Sequence, residues 1–79
     1  MNTYTDYTAS APLAAGDVII TVADYGSGKV YVSEWEVLGI DELGRIIAPH
    51  DSFSPRKPRT VRLTRASKYL RGGVIRHAA

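Results

Sequence analysis

A chain of 79 residues without a single cysteine has to hold itself together with one hydrophobic core. A domain this small buries only about 60% of its unfolded surface, and the core supplies roughly 3–5 kcal/mol, which small domains commonly supplement with disulfides or a metal. Here the only histidines are His50 and His77, far apart and without ordered Cys or carboxylate spacing. They fall short of the ligand count zinc requires, so no metal and no cofactor is expected. Stability must come from a well-formed sheet, short hairpins or self-association.

The pattern of apolar residues is that of strands. Val18-Ile19-Ile20-Thr21-Val22-Ala23 is rich in β-branched residues, with Val18, Ile20 and Val22 sharing one face. Tyr25-Gly26-Ser27-Gly28 supplies turn chemistry and predicts a hairpin into Lys29-Val30-Tyr31-Val32. Val30 and Val32 have one parity and Trp35 and Val37 the other, which predicts a bulge or bend near Ser33-Glu34. Arg45-Ile46-Ile47-Ala48 reads as a third strand stopped by Pro49, His50 to Pro58 as a proline-bearing loop, and Arg59–Arg65 as a fourth strand with Val61 and Leu63 inward. Ala66–Arg71 has the character of a short helical turn ended by Gly72-Gly73.

These elements predict a mostly β single domain, an antiparallel meander that closes into an SH3-like barrel with a short C-terminal helical turn. The pattern resembles SH3-like and KOW-type barrels in architecture; no diagnostic motif of either family stands in the sequence. The expected organisation is an extended N-terminal arm over 1–15, a barrel over 16–71, and a tail or short last strand over 72–79. Tyr4 and Tyr7 would dock the arm.

Charge divides the chain. Met1–Glu42 carries one base against seven acids (1 − 7 = −6), and Leu43–Ala79 carries nine bases against Asp51 alone (9 − 1 = +8). Such asymmetry points to a polyanion or an oppositely charged protein as partner, or to neutralisation between the halves across strands. Ser54-Pro55-Arg56-Lys57 resembles the SPKK-like repeats of some histone tails, and Pro55 and Pro58 with basic flanks match the PxxP form of SH3 ligands. A nucleic-acid face is therefore expected on Arg56, Lys57, Arg59, Arg62, Arg65, Lys68 and Arg71. Tyr25, Phe53 and Tyr69 are the candidate protein-interface aromatics.

Catalysis has no motif in its favour. Gly26-Ser27-Gly28-Lys29 has the end of a phosphate-binding loop, but Ala23 stands where its first glycine belongs and Val30 where its hydroxyl belongs. His50-Asp51-Ser52 holds triad residue types, yet triads converge from separated segments. The expectation is a non-catalytic binding module for nucleic acid. The alternatives are an inhibitor or adaptor of host protein machinery, of the polymerase-inhibitor or anti-CRISPR kind that phages use, or an assembly component that forms a homo-oligomer. With no basic-then-apolar leader at Met1–Tyr7 and no apolar run near the ~20 residues that span a bilayer, no membrane role and a cytoplasmic location are expected.

Overall fold

The computed structural model describes residues 3–24, 26–50 and 59–78, His50 in its backbone only. It is mostly β, in two antiparallel sheets. Seven strands follow in order: β1 (Thr3–Asp6), β2 (Val18–Asp24), β3 (Val30–Glu36), β4 (Gly39–Ile40), β5 (Ile46–His50), β6 (Arg59–Leu63) and β7 (Val74–His77). The first sheet has the order β1-β7-β2-β3 and the second β4-β5-β6. The stretch read as an arm thus supplies an edge strand, and the C-terminal stretch is inserted between β1 and β2.

The β2–β3 hairpin forms where turn chemistry interrupts β-branched sequence. Gly26 and Gly28 take φ of 81° and 74°, a region closed to β-branched side chains at low cost, and the Asp24 carboxylate accepts a hydrogen bond from Gly26 N at 2.9 Å. Although a side chain at Gly28 would meet no neighbour, Gly28→Val is expected to lower stability by about 1–2 kcal/mol through backbone strain alone. Chemical denaturation checks this.

The expected bulge at Ser33-Glu34 is absent. The ladder runs unbroken from Val18↔Glu36 to Asp24↔Val30, because Val30 and Val32 are exposed and nothing forces them onto the face of Trp35 and Val37. The bend comes later. Val37 N still bonds Asp17 O at 2.8 Å, whereas Leu38 N bonds Ile47 O at 2.8 Å, so one bent segment leaves the first sheet and enters the second.

The expected closed barrel is not what the described strands form. No ladder joins the edges of the two sheets; the core lies between them, built from Tyr7, Ile19, Val37, Ile46, Leu70 and Ile75, with Trp35 and Leu63 packed against it. The face of β2 that carries Val18, Ile20 and Val22 is the outer one, and Ile19 is the buried residue. Val37 is fully buried and Trp35 partly, while Glu34 and Glu36 face water.

Pro49 lies inside β5 rather than ending it. Ile47 turns its carbonyl toward Leu38, so Pro49, two residues on, turns its nitrogen to that same side, where β4 has already ended. A missing N–H there costs no ladder bond. The expected helical turn is also replaced: residues 64–73 wind through successive i→i+3 bonds, Ser67 N to Thr64 O, Leu70 N to Ser67 O and Gly73 N to Leu70 O. Leu70 plugs the core, and Gly72, at φ 76°, turns the chain into β7 before a helix can propagate. No helix among the described residues is long and apolar enough to cross a membrane.

Candidate interaction surfaces

Register places the outer face of the first sheet. Residues directly opposite in an antiparallel pair share a face, so Val22↔Val32, Asp24↔Val30, Ile20↔Glu34 and Val18↔Glu36 lie together. Val18↔Arg76 and Ile20↔Val74 extend that face across β7, and Tyr4↔Arg76 and Asp6↔Val74 extend it to β1. A solvated sheet face ordinarily alternates to polar residues. This one carries a β-branched stripe in which Val22, Val32 and Val30 are 65%, 63% and 55% exposed.

Carboxylates surround the stripe. Asp6, Asp24, Glu34 and Glu36 stand on the same face with one cation, Arg76, whose guanidinium lies 3.6 Å from Glu34. Among the described residues Glu34 is the only one of these four acids in an ion pair. The cause is topological: β2 and β3, both from the acidic half, are neighbours, while the basic strand β6 sits in the other sheet. Neutralisation across strands therefore reaches this face through β7 alone.

Of the basic residues singled out from sequence, those that the structure describes do not share one surface. Arg56, Lys57, Phe53 and Tyr25 lie outside the described residues. Arg59 and Arg62 differ in parity along β6 and so point to opposite faces. Arg62 reaches Asp41 at 3.3 Å, where Arg45 also binds at 2.7 Å. Burial alone would raise the Asp41 pKa, but hydrogen bonds from the Arg45 backbone and side chain and from Leu43 N outweigh it and hold the carboxyl below its usual range.

Arg65 is built into the fold. Its guanidinium donates to Ala11 O and lies 5.9 Å from the centre of the Tyr7 ring, while Tyr7 donates its hydroxyl hydrogen to Arg65 O at 2.6 Å. This pair clamps the N-terminal segment to the 64–73 turns. Lys68, Tyr69 and Arg71 are exposed on those turns. Tyr69 is 61% exposed, with the Lys68 ammonium 5.5 Å from its ring centre, and Arg71 borders a shallow depression of about 240 Å³ that Tyr7, Ser67 and Gly72 also line. No acidic residue occurs after Asp51, so the charged side chains of the 64–73 stretch are all cations.

One constellation escaped sequence reasoning because its members are scattered along the chain. Asp17, buried, accepts hydrogen bonds from Ala14 N at 3.0 Å and Ala78 N at 2.9 Å. His77 Nδ1 lies 3.3 Å from the same carboxylate, and Thr5 Oγ1 lies 2.6 Å from His77 Nε2. A carboxylate only accepts, so Nδ1 carries the proton and, in neutral His77, Nε2 accepts from the Thr5 hydroxyl. The connectivity is that of a hydrolytic triad, but such a site also needs convergent oxyanion donors and a place for substrate. Thr5 and His77 stand on an edge pairing and line neither the depression beside Arg71 nor the one beside Trp35 and Glu36. The group serves as a latch joining β1, β7 and the turn before β2. Among the described residues no three metal-ligating side chains cluster.

No protein-family model, curated protein or solved structure matches this chain.

Proposed function

We propose that this is a non-catalytic interaction protein whose working surface is the outer face of the first sheet, and that its partner is a protein. The observation that carries the reading is the exposed Val22-Val30-Val32 stripe within a ring of carboxylates. Contiguous apolar surface with a polar rim is how soluble proteins present an interface. The scaffold we infer is an incompletely closed SH3-like meander, supported by the bent segment that serves both sheets. The cysteine-free composition supports a cytoplasmic setting.

Nucleic-acid binding is the second reading, and exposed Tyr69 between Lys68 and Arg71 favours it, since an aromatic can stack a base while flanking cations hold phosphates. The opposite faces taken by Arg59 and Arg62 and the engagement of Arg62 and Arg65 within the fold weigh against it.

The two readings separate in one set of measurements on Val22→Lys/Val32→Lys and Lys68→Gln/Arg71→Gln. Protein captured from native extract should resist nuclease and be lost with the valine variant. Direct titration with single- and double-stranded DNA and RNA tests the second reading. If nucleic acid binds and the log affinity–log salt slope flattens by about 0.9 for each cation removed, nucleic acid takes the place of protein as the partner.

A further inference from the structure

We infer that the occupant of the valine face is a second copy of this chain, docked head-to-tail through the Lys68-Tyr69-Arg71 turn. The inference rests on the protein-partner reading above and adds the identity of the partner. Its basis is charge complementarity between two surfaces of one molecule. The valine face holds Asp6, Asp24, Glu34 and Glu36 against Arg76 alone, a formal −3 from these five residues. The turn offers Lys68 and Arg71 in a stretch with no acid after Asp51.

A two-fold contact of the valine face with itself would set two like-charged rings against each other, which costs rather than stabilises. The basic turn meets the opposite condition. Tyr69, exposed, is the type of side chain that anchors an interface, and the β-branched stripe offers it an apolar bed. Lys68 and Arg71 then reach the carboxylates at the rim, Asp24 and Glu36 among them.

Because the two surfaces are different, every copy presents one of each. A contact of this kind closes into a ring or continues as a filament. Single copies should therefore give way to higher species as concentration rises, more readily at low salt because exposed charges are screened by ions.

The test is sedimentation velocity of the full chain over a wide concentration range at low and high salt, with two variants that change only exposed residues. One is Val22→Lys/Val32→Lys, the other Lys68→Glu/Arg71→Glu, and circular dichroism confirms that each is folded. The wild type is expected to form species larger than a dimer, each variant alone to stay monomeric, and an equimolar mixture of the two to stop at a one-to-one dimer through the single intact contact. A wild type that stays monomeric throughout overturns the inference while leaving a different protein partner for the valine face. An oligomer whose two variants fail to complement each other overturns it in favour of a two-fold contact.

Discussion

Replacing Ile19 with Ala is expected to leave the chain largely unfolded. Ile19 is fully buried in β2, opposite Trp35 on one side and Ile75 on the other, so truncation opens a cavity that two strands and the facing sheet cannot fill. Such a change typically costs about 2–5 kcal/mol, against roughly 3–5 kcal/mol of net stability in a domain of this size without disulfide or metal. Urea denaturation followed by Trp35 fluorescence reads the effect, with Val22→Ala as control. Val22 is three residues further along the same strand, on the opposite face and exposed, so its loss should stay within about 0.5 kcal/mol. Equal effects at the two positions would reverse the assignment of the inner face.

Asp17→Ala should be nearly as damaging, for a different reason. The carboxylate satisfies the backbone N–H groups of Ala14 and Ala78 and faces His77, so its removal leaves two part-buried donors without that acceptor. A cost of about 3 kcal/mol follows from charged hydrogen bonds of this kind. Burial alone would push the Asp17 pKa up, but the hydrogen bonds from Ala78, Ala14 and His77 outweigh it and hold the carboxyl below its ordinary value. A depressed folded pKa stabilises above the unfolded value, about 3.9, and that stabilisation is lost as pH falls through the folded value. The stability gap between wild type and Asp17→Ala should therefore be full at neutral pH and start to narrow as the pH falls below about 4. A gap independent of pH would mean that the carboxylate acts only as a space-filling group.

Strand periodicity and turn chemistry carried much of the fold. The runs at 18–23, 29–32, 45–48 and 59–65 each hold a strand, the last ending at Leu63, because β-branched residues between glycine-bearing turns leave a short chain few other arrangements. What pattern could not say was which face of β2 goes inside. Val18-Ile19-Ile20 is apolar on both faces, so parity has no preference until Trp35 and Ile75 are known to flank Ile19. The misplaced bulge has the same origin, since burying Val30 and Val32 was assumed where exposing them is the actual solution. β1 and the Asp17-His77-Thr5 latch were invisible locally, because Thr3–Asp6 acquires strand geometry only from β7. The charge split was plain in the sequence, but its consequence depended on strand order, which sets the acidic strands beside each other and keeps the basic strand β6 in the other sheet.

The pairing of β1 with β7 has a consequence for how the chain reaches this structure. Thr5 and His77 meet across 72 positions, and β2 gains its second neighbour only when β7 arrives. Contacts this distant in sequence must overcome the entropy of closing a long loop before they return any stabilisation, so folding belongs in the millisecond-to-second range of high contact order. During synthesis the β2–β3 hairpin emerges early, with both of its faces still open, and Ile19 and Trp35 stay exposed until residues 74–77 have left the ribosome. Ile19 therefore stays in water while residues 20–73 are made, available to neighbouring chains before its own core exists.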